Sequence, residues 1–379
     1  MIHLRSNLQL TEPCTSLPVR PAVINAALDK RLAGLAEAKR FISTRVALHL
    51  RRAMDLKSKR TPPDTNQCIL VMGPSGAGKT FLVEQVASIV KIPFASANAA
   101  SLTTEGYSGP GINNVFSTLI NKASSNNNLA QYGICLLDEW DKRVRPLHEK
   151  DGFSQGIQGE MLKIMEGTEV QIESRRNRER PATPFHTRGL MFVFAGSFQG
   201  LEQELAKGGK LHNVSGFARE DDASACTARE HALRDALVSY GLMPEFMNRL
   251  TGILTLPTPT PADMISVLQF ENGPLQNCNR TLRSLGVELA VGRRTAHAMA
   301  EHVCQTKTYC RGLRALLQAA ADHLVYEDVK GVVSIEPDDL RRLASGARPR
   351  MTAPRCRHID LNANACESTA LTNERSAVA

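Results

Sequence analysis

Between positions 28 and 56 the apolar residues Ala38, Ile42, Val46, Leu50 and Met54 recur every fourth residue, and this stripe predicts one long amphipathic helix. Ahead of it, residues 1–24 hold Pro13, Pro18 and Pro21 with little periodicity and read as a loose arm. Lys57-Ser58-Lys59-Arg60-Thr61-Pro62-Pro63-Asp64 breaks the helix, and the spacing then changes character. Cys68-Ile69-Leu70-Val71-Met72 is apolar throughout, too short for a helix, and reads as a strand buried on both faces. Two further runs, 133–137 and 190–195, have the same form, while 81–90 and the stripe of Met161, Leu162 and Met165 are helical, the stripe being core. Strands alternating with helices predict an α/β fold: a parallel sheet covered by helices on both sides.

Pro257, Pro259 and Pro261 then punctuate a linker. Beyond it, helical spacing returns over 264–270, 294–304 and 311–326, with a short strand at 332–335. These elements predict a second, small and mostly helical lid domain. From Ser345 the chain turns polar and aperiodic and reads as a disordered tail. The expected organisation is an arm over 1–24, a large α/β domain over 25–256, a lid over 260–345 and a tail over 346–379.

Composition narrows this little. The 379 residues are 42% hydrophobic and 22% charged, ordinary for a soluble globular chain. No apolar run approaches the roughly 20 residues that cross a bilayer, and the N-terminus lacks the order of a signal peptide, so a cytoplasmic protein without a membrane partner is expected. The nine cysteines form no C-x-x-C pair and read as free thiols, with Cys68 and Cys135 as small apolar strand residues. The net charge of +8 permits contact with nucleic acid or with acidic protein surfaces.

The chemistry begins immediately after the first strand. Gly73-Pro74-Ser75-Gly76-Ala77-Gly78-Lys79-Thr80 satisfies the pattern G-x-x-x-x-G-K-[ST] between a strand and a helix. Such a loop turns successive backbone N–H groups toward a polyphosphate, the helix N-terminus adds partial positive charge, Lys79 reaches the β- and γ-phosphates and Thr80 ligates magnesium. A nucleoside triphosphate with Mg²⁺ is the implied ligand, and the loop alone does not separate kinases, GTPases and ATPases. Leu136-Leu137-Asp138-Glu139 is the discriminating second element, because a strand delivers two adjacent carboxylates beside those phosphates. Asp138 can orient the metal or its waters, and Glu139 can polarise a water that attacks the γ-phosphate.

Other segments carry a resemblance. Leu137-Asp138-Glu139-Trp140-Asp141-Lys142 resembles IDEIDK, and Gly106-Tyr107-Ser108-Gly109 resembles GYVG. Gln155-Gly156-Ile157-Gln158 with 162–167 resembles EGVQ and LLKLIEGT. Pro244-Glu245-Phe246-Met247-Asn248-Arg249-Leu250 resembles PEFIGRLP, and Cys310-Arg311-Gly312-Leu313-Arg314 resembles ARGLR. Leu32-Ala33-Gly34-Leu35-Ala36-Glu37-Ala38-Lys39-Arg40 resembles VIGQEQAKK without its central polar positions. These are motifs of the hexameric AAA+ protein-unfolding ATPases of the ClpX and HslU type, in that family's order from about residue 28 to 343.

The resemblance implies an AAA+ P-loop domain with a helical lid, a homo-hexameric ring, and ATP hydrolysis that drives a chaperone or unfoldase. In it Arg249 is the arginine finger that completes a neighbour's site, Arg311 is the sensor-2 arginine, and Ser197 stands nearest the sensor position after its strand. Tyr107 would grip a protein substrate from a pore loop, with a second pore loop near Lys150-Asp151-Gly152-Phe153 and a basic pore-entrance loop at Arg175-Arg176-Asn177-Arg178-Glu179-Arg180. Two departures stand out. Val214-Ser215-Gly216-Phe217 puts Ser215 where the peptidase-docking loop needs a large aliphatic residue, which weakens docking to a peptidase ring. Pro110 and Gly111 replace the acidic pair after GYVG. The reading from another class is a nucleic-acid-associated AAA+ switch; no helix-turn-helix or RNA-recognition signature supports it.

Overall fold

The computed structural model describes residues 20–62, 66–102, 111–124, 126–144, 152–172, 183–201, 205, 223–347, 349 and 351; of 127, 152–155 and 223–229 only the backbone is described. These residues fall into two compact units. One comprises the described residues up to Pro274 with Ala300–Leu313, and the other Leu275–Met299 with the described residues from Arg314 on.

The first unit opens with α1 (Pro21–Asp29) and α2 (Ala36–Lys57), followed by β1 (Cys68–Met72), α3 (Lys79–Val90) and β2 (Phe94–Asn98). Then come α4 (Asn113–Lys122), α5 (Asn127–Ala130), β3 (Ile134–Asp138), α6 (Gly152–Glu166), the strands β4 (Glu169–Ile172) and β5 (Thr183–His186), and β6 (Met191–Gly196). Helices Ala223–Tyr240 and Pro244–Arg249 precede β7 (Gly252–Thr255). Two expectations need correction here. Residues 21–24, counted with the arm, form the first turn of α1, where Pro21 sits at the start of a helix with its φ already set. The single helix over 28–56 is two helices, because Gly34 (φ 62°) and Leu35 (φ 55°) are left-handed and the chain reverses between them.

Among the described residues five strands form one sheet in the order β2-β3-β6-β1-β7, and every pairing in it is parallel. The alternation of the strands is visible only in three dimensions. Cys68, Leu70, Met72, Cys135, Leu137, Phe192 and Phe194 face one layer, packed with Phe116 and Leu119 of α4, Met161 and Met165 of α6, Leu237 and Phe246. Ile69, Val71, Ile134, Leu136, Met191, Val193 and Ala195 face the other, against Ile24 and Leu28 of α1, Ile42 and Val46 of α2, and Leu82, Val83 and Val86 of α3. Both faces are buried, so the sequence runs apolar without alternation. The Met161 and Met165 stripe is core as expected, and burial pushes the Cys68 thiol up to about 12 and the Cys135 thiol higher still.

On α2, His49 is fully buried; its Nε2 lies 2.9 Å from the Tyr132 carbonyl oxygen, to which it donates, and Nδ1 has no partner among the described residues. Burial is the leading reason its pKa falls from 6.5 to about 4, partly offset by the Tyr132 bond and reinforced by Arg52. The unfolded chain therefore binds a proton that the folded chain refuses between about pH 6.5 and 4. Stability should fall as pH drops through that window, by about 3 kcal/mol in all, and level off below it. Urea midpoints across pH 7 to 4 check this, and His49→Gln should flatten the curve; equal slopes for both proteins would refute it.

The second unit is built on β8 (Val287–Val291) and β9 (Gly331–Ile335), a parallel pair. Val287, Leu289, Val333 and Ile335 form its buried side. Asn279, buried on the helix Pro274–Arg283, bonds both backbone groups of Leu289 at 2.8 Å, so its amide acts as an extra strand residue. The helix Pro337–Ala344 carries a capping box of Glu336 and Asp339. The division falls later than the expected linker: Pro261–Gln269 and residues 300–313 group with the first unit, and the Cys304 thiol reaches the Pro259 carbonyl at 3.6 Å. Of the expected tail, residues 346, 347, 349 and 351 are described, and Met351 is buried. No helix among the described residues is long and apolar enough to cross a membrane.

Candidate functional site

The eight residues from Gly73 to Thr80 join the end of β1 to the first turn of α3. Gly73 has φ 147°, and a Cβ there would lie 2.9 Å from the Leu256 Cβ. Gly76 has φ 84°, and a Cβ would lie 2.7 Å from the Thr308 carbonyl oxygen. Side chains are barred from both positions by conformation and by space, which is the local reason the loop keeps glycine there. Lys79 is 8% exposed, and its Nζ donates to the carbonyls of Gly73 at 2.7 Å and Pro74 at 3.0 Å, so the lysine folds back across its own loop. Burial lowers its pKa most; Asp138 and Asp141 counter that, and the positive charge of Arg311 adds to it.

The acidic pair arrives from β3. The Thr80 hydroxyl donates to Asp138 Oδ2 at 2.5 Å, which brings the start of α3 and the end of β3 to one point. A hydroxyl and a carboxylate so placed, next to a lysine and a glycine-rich loop that opens a helix, fit a hard divalent cation bound to phosphate oxygens. Glu139 follows in the left-handed region (φ 56°), a conformation that costs a non-glycine residue about 1–2 kcal/mol and turns its side chain off the strand direction. Asn98, the residue beside Asp138 in the β2–β3 register, donates from Nδ2 to Glu139 Oε2 at 3.0 Å. The two carboxylates therefore have different partners and different directions.

Because β6 is inserted between β1 and β3, the residues after it emerge between the phosphate loop and the acid pair. Ser197 does so, and its hydroxyl donates to Asp141 Oδ2 at 2.8 Å. Asp141 is buried, and a Cβ on Gly196 would sit 2.6 Å from its Oδ1. Arg311 lies in the first turn of the helix Tyr309–Tyr326, close enough for its charge to act on Lys79. Arg249 is the last residue of the helix Pro244–Arg249 and forms an ion pair with Glu166, the last residue of α6. It remains 44% exposed.

Tyr107 and its flanking glycines, Lys150 and Asp151, the basic segment 175–180 and the docking segment 214–217 lie outside the described residues. Gly152 and Phe153, expected in the second pore loop, open α6. The basic segment joins β4 to β5, an antiparallel pair that the sequence pattern did not reveal. Asn98 and Asp141 were missed as site residues. Asn98 stands at the end of a strand with one of its five positions buried, and its one signal is its register with Asp138.

A parallel sheet that sets a phosphate loop at the end of one strand and an acid pair at the end of another is the architecture of a P-loop nucleotide-binding protein. The chain belongs to the family described as AAA domain (Cdc48 subfamily), whose model matches residues 64–253. It is an AAA+ ATPase.

Proposed function

We propose that this ATPase is a ring-forming protein unfoldase or remodelling chaperone of the ClpX and HslU type. The observation that carries the hydrolytic half is the division of labour in the acid pair: Asp138 is held by Thr80, and Glu139 is turned aside and held by Asn98. Asp138 and Thr80 would hold Mg²⁺, which would offset phosphate charge when bound. Glu139 is the base that polarises the attacking water, the phosphate loop with Lys79 binds ATP, and Arg311 reports phosphate charge to its helix. Arg249, exposed and paired with Glu166 in its own chain, is available to a neighbouring subunit as an arginine finger. That role needs a neighbouring subunit, and the resemblance makes the proposed assembly a homo-hexamer.

The protein-substrate half rests on the order of the motifs and on Tyr107 between two glycines, an aromatic able to hold a chain of any sequence by its apolar face. Ser215 in place of a large aliphatic residue argues against a peptidase ring as partner. The basic charge favours one other reading, an AAA+ switch that assembles on nucleic acid.

Tyr107→Ala separates the two. For a translocase, the variant should keep its ATPase rate within a factor of about two and lose unfolding of a captured protein. DNA binding of the unaltered protein is measured beside it across a salt series. Salt-sensitive DNA binding that stimulates ATPase, with Tyr107→Ala behaving as the parent, would establish the switch instead.

A further inference from the structure

Gln158 on α6 is buried, at 1% exposure, and its amide meets three backbone groups. Oε1 accepts from the Met243 N–H at 3.0 Å, and Nε2 donates to the carbonyls of Gly241 at 3.3 Å and Arg143 at 3.4 Å. Two acceptors and one donor leave the amide a single orientation. Gly241 and Met243 stand just ahead of the helix Pro244–Arg249, and Arg143 closes the short turn Trp140–Arg143 that follows Glu139. One buried side chain therefore joins the start of the helix that ends in Arg249 to the segment that carries the acid pair.

The helix Pro244–Arg249 does not cap itself. It has six residues, and Met243 at its N-cap makes no side-chain bond to it. Pro244 brings no N–H, and Phe246 at the third position has no polar group to reach back to the Met243 N–H, as the glutamate or glutamine of a capping box does. Gln158 supplies that contact from another helix. The far end of the short helix is tied to the same α6 by the exposed ion pair of Arg249 with Glu166. When Arg249 leaves that pair for a neighbour's phosphate, the buried bond at Met243 still ties the helix to α6.

We infer that Gln158 is a positioning residue for the arginine finger: by fixing the N-terminus of the Pro244–Arg249 helix from α6, it sets where Arg249 meets a neighbouring subunit's nucleotide. This rests on the proposed role of Arg249. A misplacement of about 1 Å in a group that meets the transition state costs much of the rate. Lys79, Asp138 and Glu139 of the same chain are held by other partners, so loss of Gln158 should slow turnover in the neighbour's site and leave ATP affinity alone.

The test is complementation between full-length variants, read as steady-state ATPase. Gln158→Met keeps the length of the side chain and removes its polar atoms; alone, it should lower kcat about tenfold while binding of a fluorescent ATP analogue stays within about twofold. Mixed with Glu139→Gln, which lacks its own base but keeps an intact finger, it should regain activity. Mixed with Arg249→Ala, it should gain nothing, because neither subunit then offers a well-placed finger. A residue that merely supports the fold would not sort its two partners in this way. Met243→Pro, whose ring suits the φ of −63° there, removes the N–H that Gln158 accepts from and leaves Gln158 intact, so it should give the same pattern and carries the test should Gln158→Met misfold. Unchanged kcat in both variants, rescue by Arg249→Ala, or no rescue by Glu139→Gln would overturn the inference. If Arg249→Ala itself gains nothing from Glu139→Gln, the finger assignment falls, and the inference with it.

Discussion

Glu139→Gln is expected to bind ATP within a factor of about two of the parent protein and to hydrolyse it at least about a hundredfold more slowly. The carboxamide keeps the size of the side chain and can still meet Asn98, whose amide sits 3.0 Å from Oε2. What it loses is the negative charge and basicity that polarise a water, so the ground state survives and the transition state does not. Asp138, held by Thr80 at 2.5 Å, and the fold of Lys79 over Gly73 and Pro74 are untouched, which is why affinity should stand. Mixing this variant with Arg249→Ala should restore some activity if a neighbour completes each site, since one mixed interface then holds an intact Glu139 and an intact Arg249. Equilibrium binding and phosphate release measure the two halves. A rate within about twofold of the parent would remove Glu139 from the role of base.

Much of the site was legible because its chemistry is local. The phosphate loop spans eight consecutive residues whose identities are dictated by backbone conformation, and Asp138 and Glu139 follow a strand whose apolar run is continuous. The central strands β1, β3 and β6 were read correctly for the same reason: buried on both faces, they spell themselves without gaps. What escaped depends on pairing. β2 is half-buried at an edge of the sheet, so Phe94 to Asn98 shows no clean run, and Asn98 acquires meaning only from its neighbour Asp138 across the ladder. The short hairpin β4–β5 is mostly exposed and invisible to hydropathy. The break between α1 and α2 turns on two left-handed residues, and Leu35, one of them, carries no turn signal of its own.

Trp140→Ala should be the most destabilising single substitution near the site, at a cost of about 3–5 kcal/mol. Trp140 is fully buried directly after Glu139; its ring lies 4.8 Å from Phe194 and 5.3 Å from Phe246, and those two rings meet each other edge-on at 4.8 Å. Phe194 belongs to β6, and Phe246 to the helix that ends at Arg249, so one aromatic cluster fixes the acid pair, the strand leading to Ser197 and the proposed finger against one another. Each aromatic pair adds about 0.5–1.5 kcal/mol beyond its buried area, and alanine forfeits both contacts while leaving a cavity. Trp140→Phe is the informative control. The indole Nε1 has no hydrogen-bond partner among the described residues, so phenylalanine removes a buried unpaired donor while keeping a ring between the two others. It should cost less than about 2 kcal/mol and preserve most of the turnover, whereas Trp140→Ala should lose turnover along with stability because Glu139 sits on the loosened turn. Urea denaturation followed by far-UV circular dichroism compares the variants, and in the parent the fluorescence of this sole tryptophan reports the same transition. If Trp140→Ala unfolds within about 1 kcal/mol of the parent, the cluster is not the packing centre that ties the acid pair to the Arg249 helix.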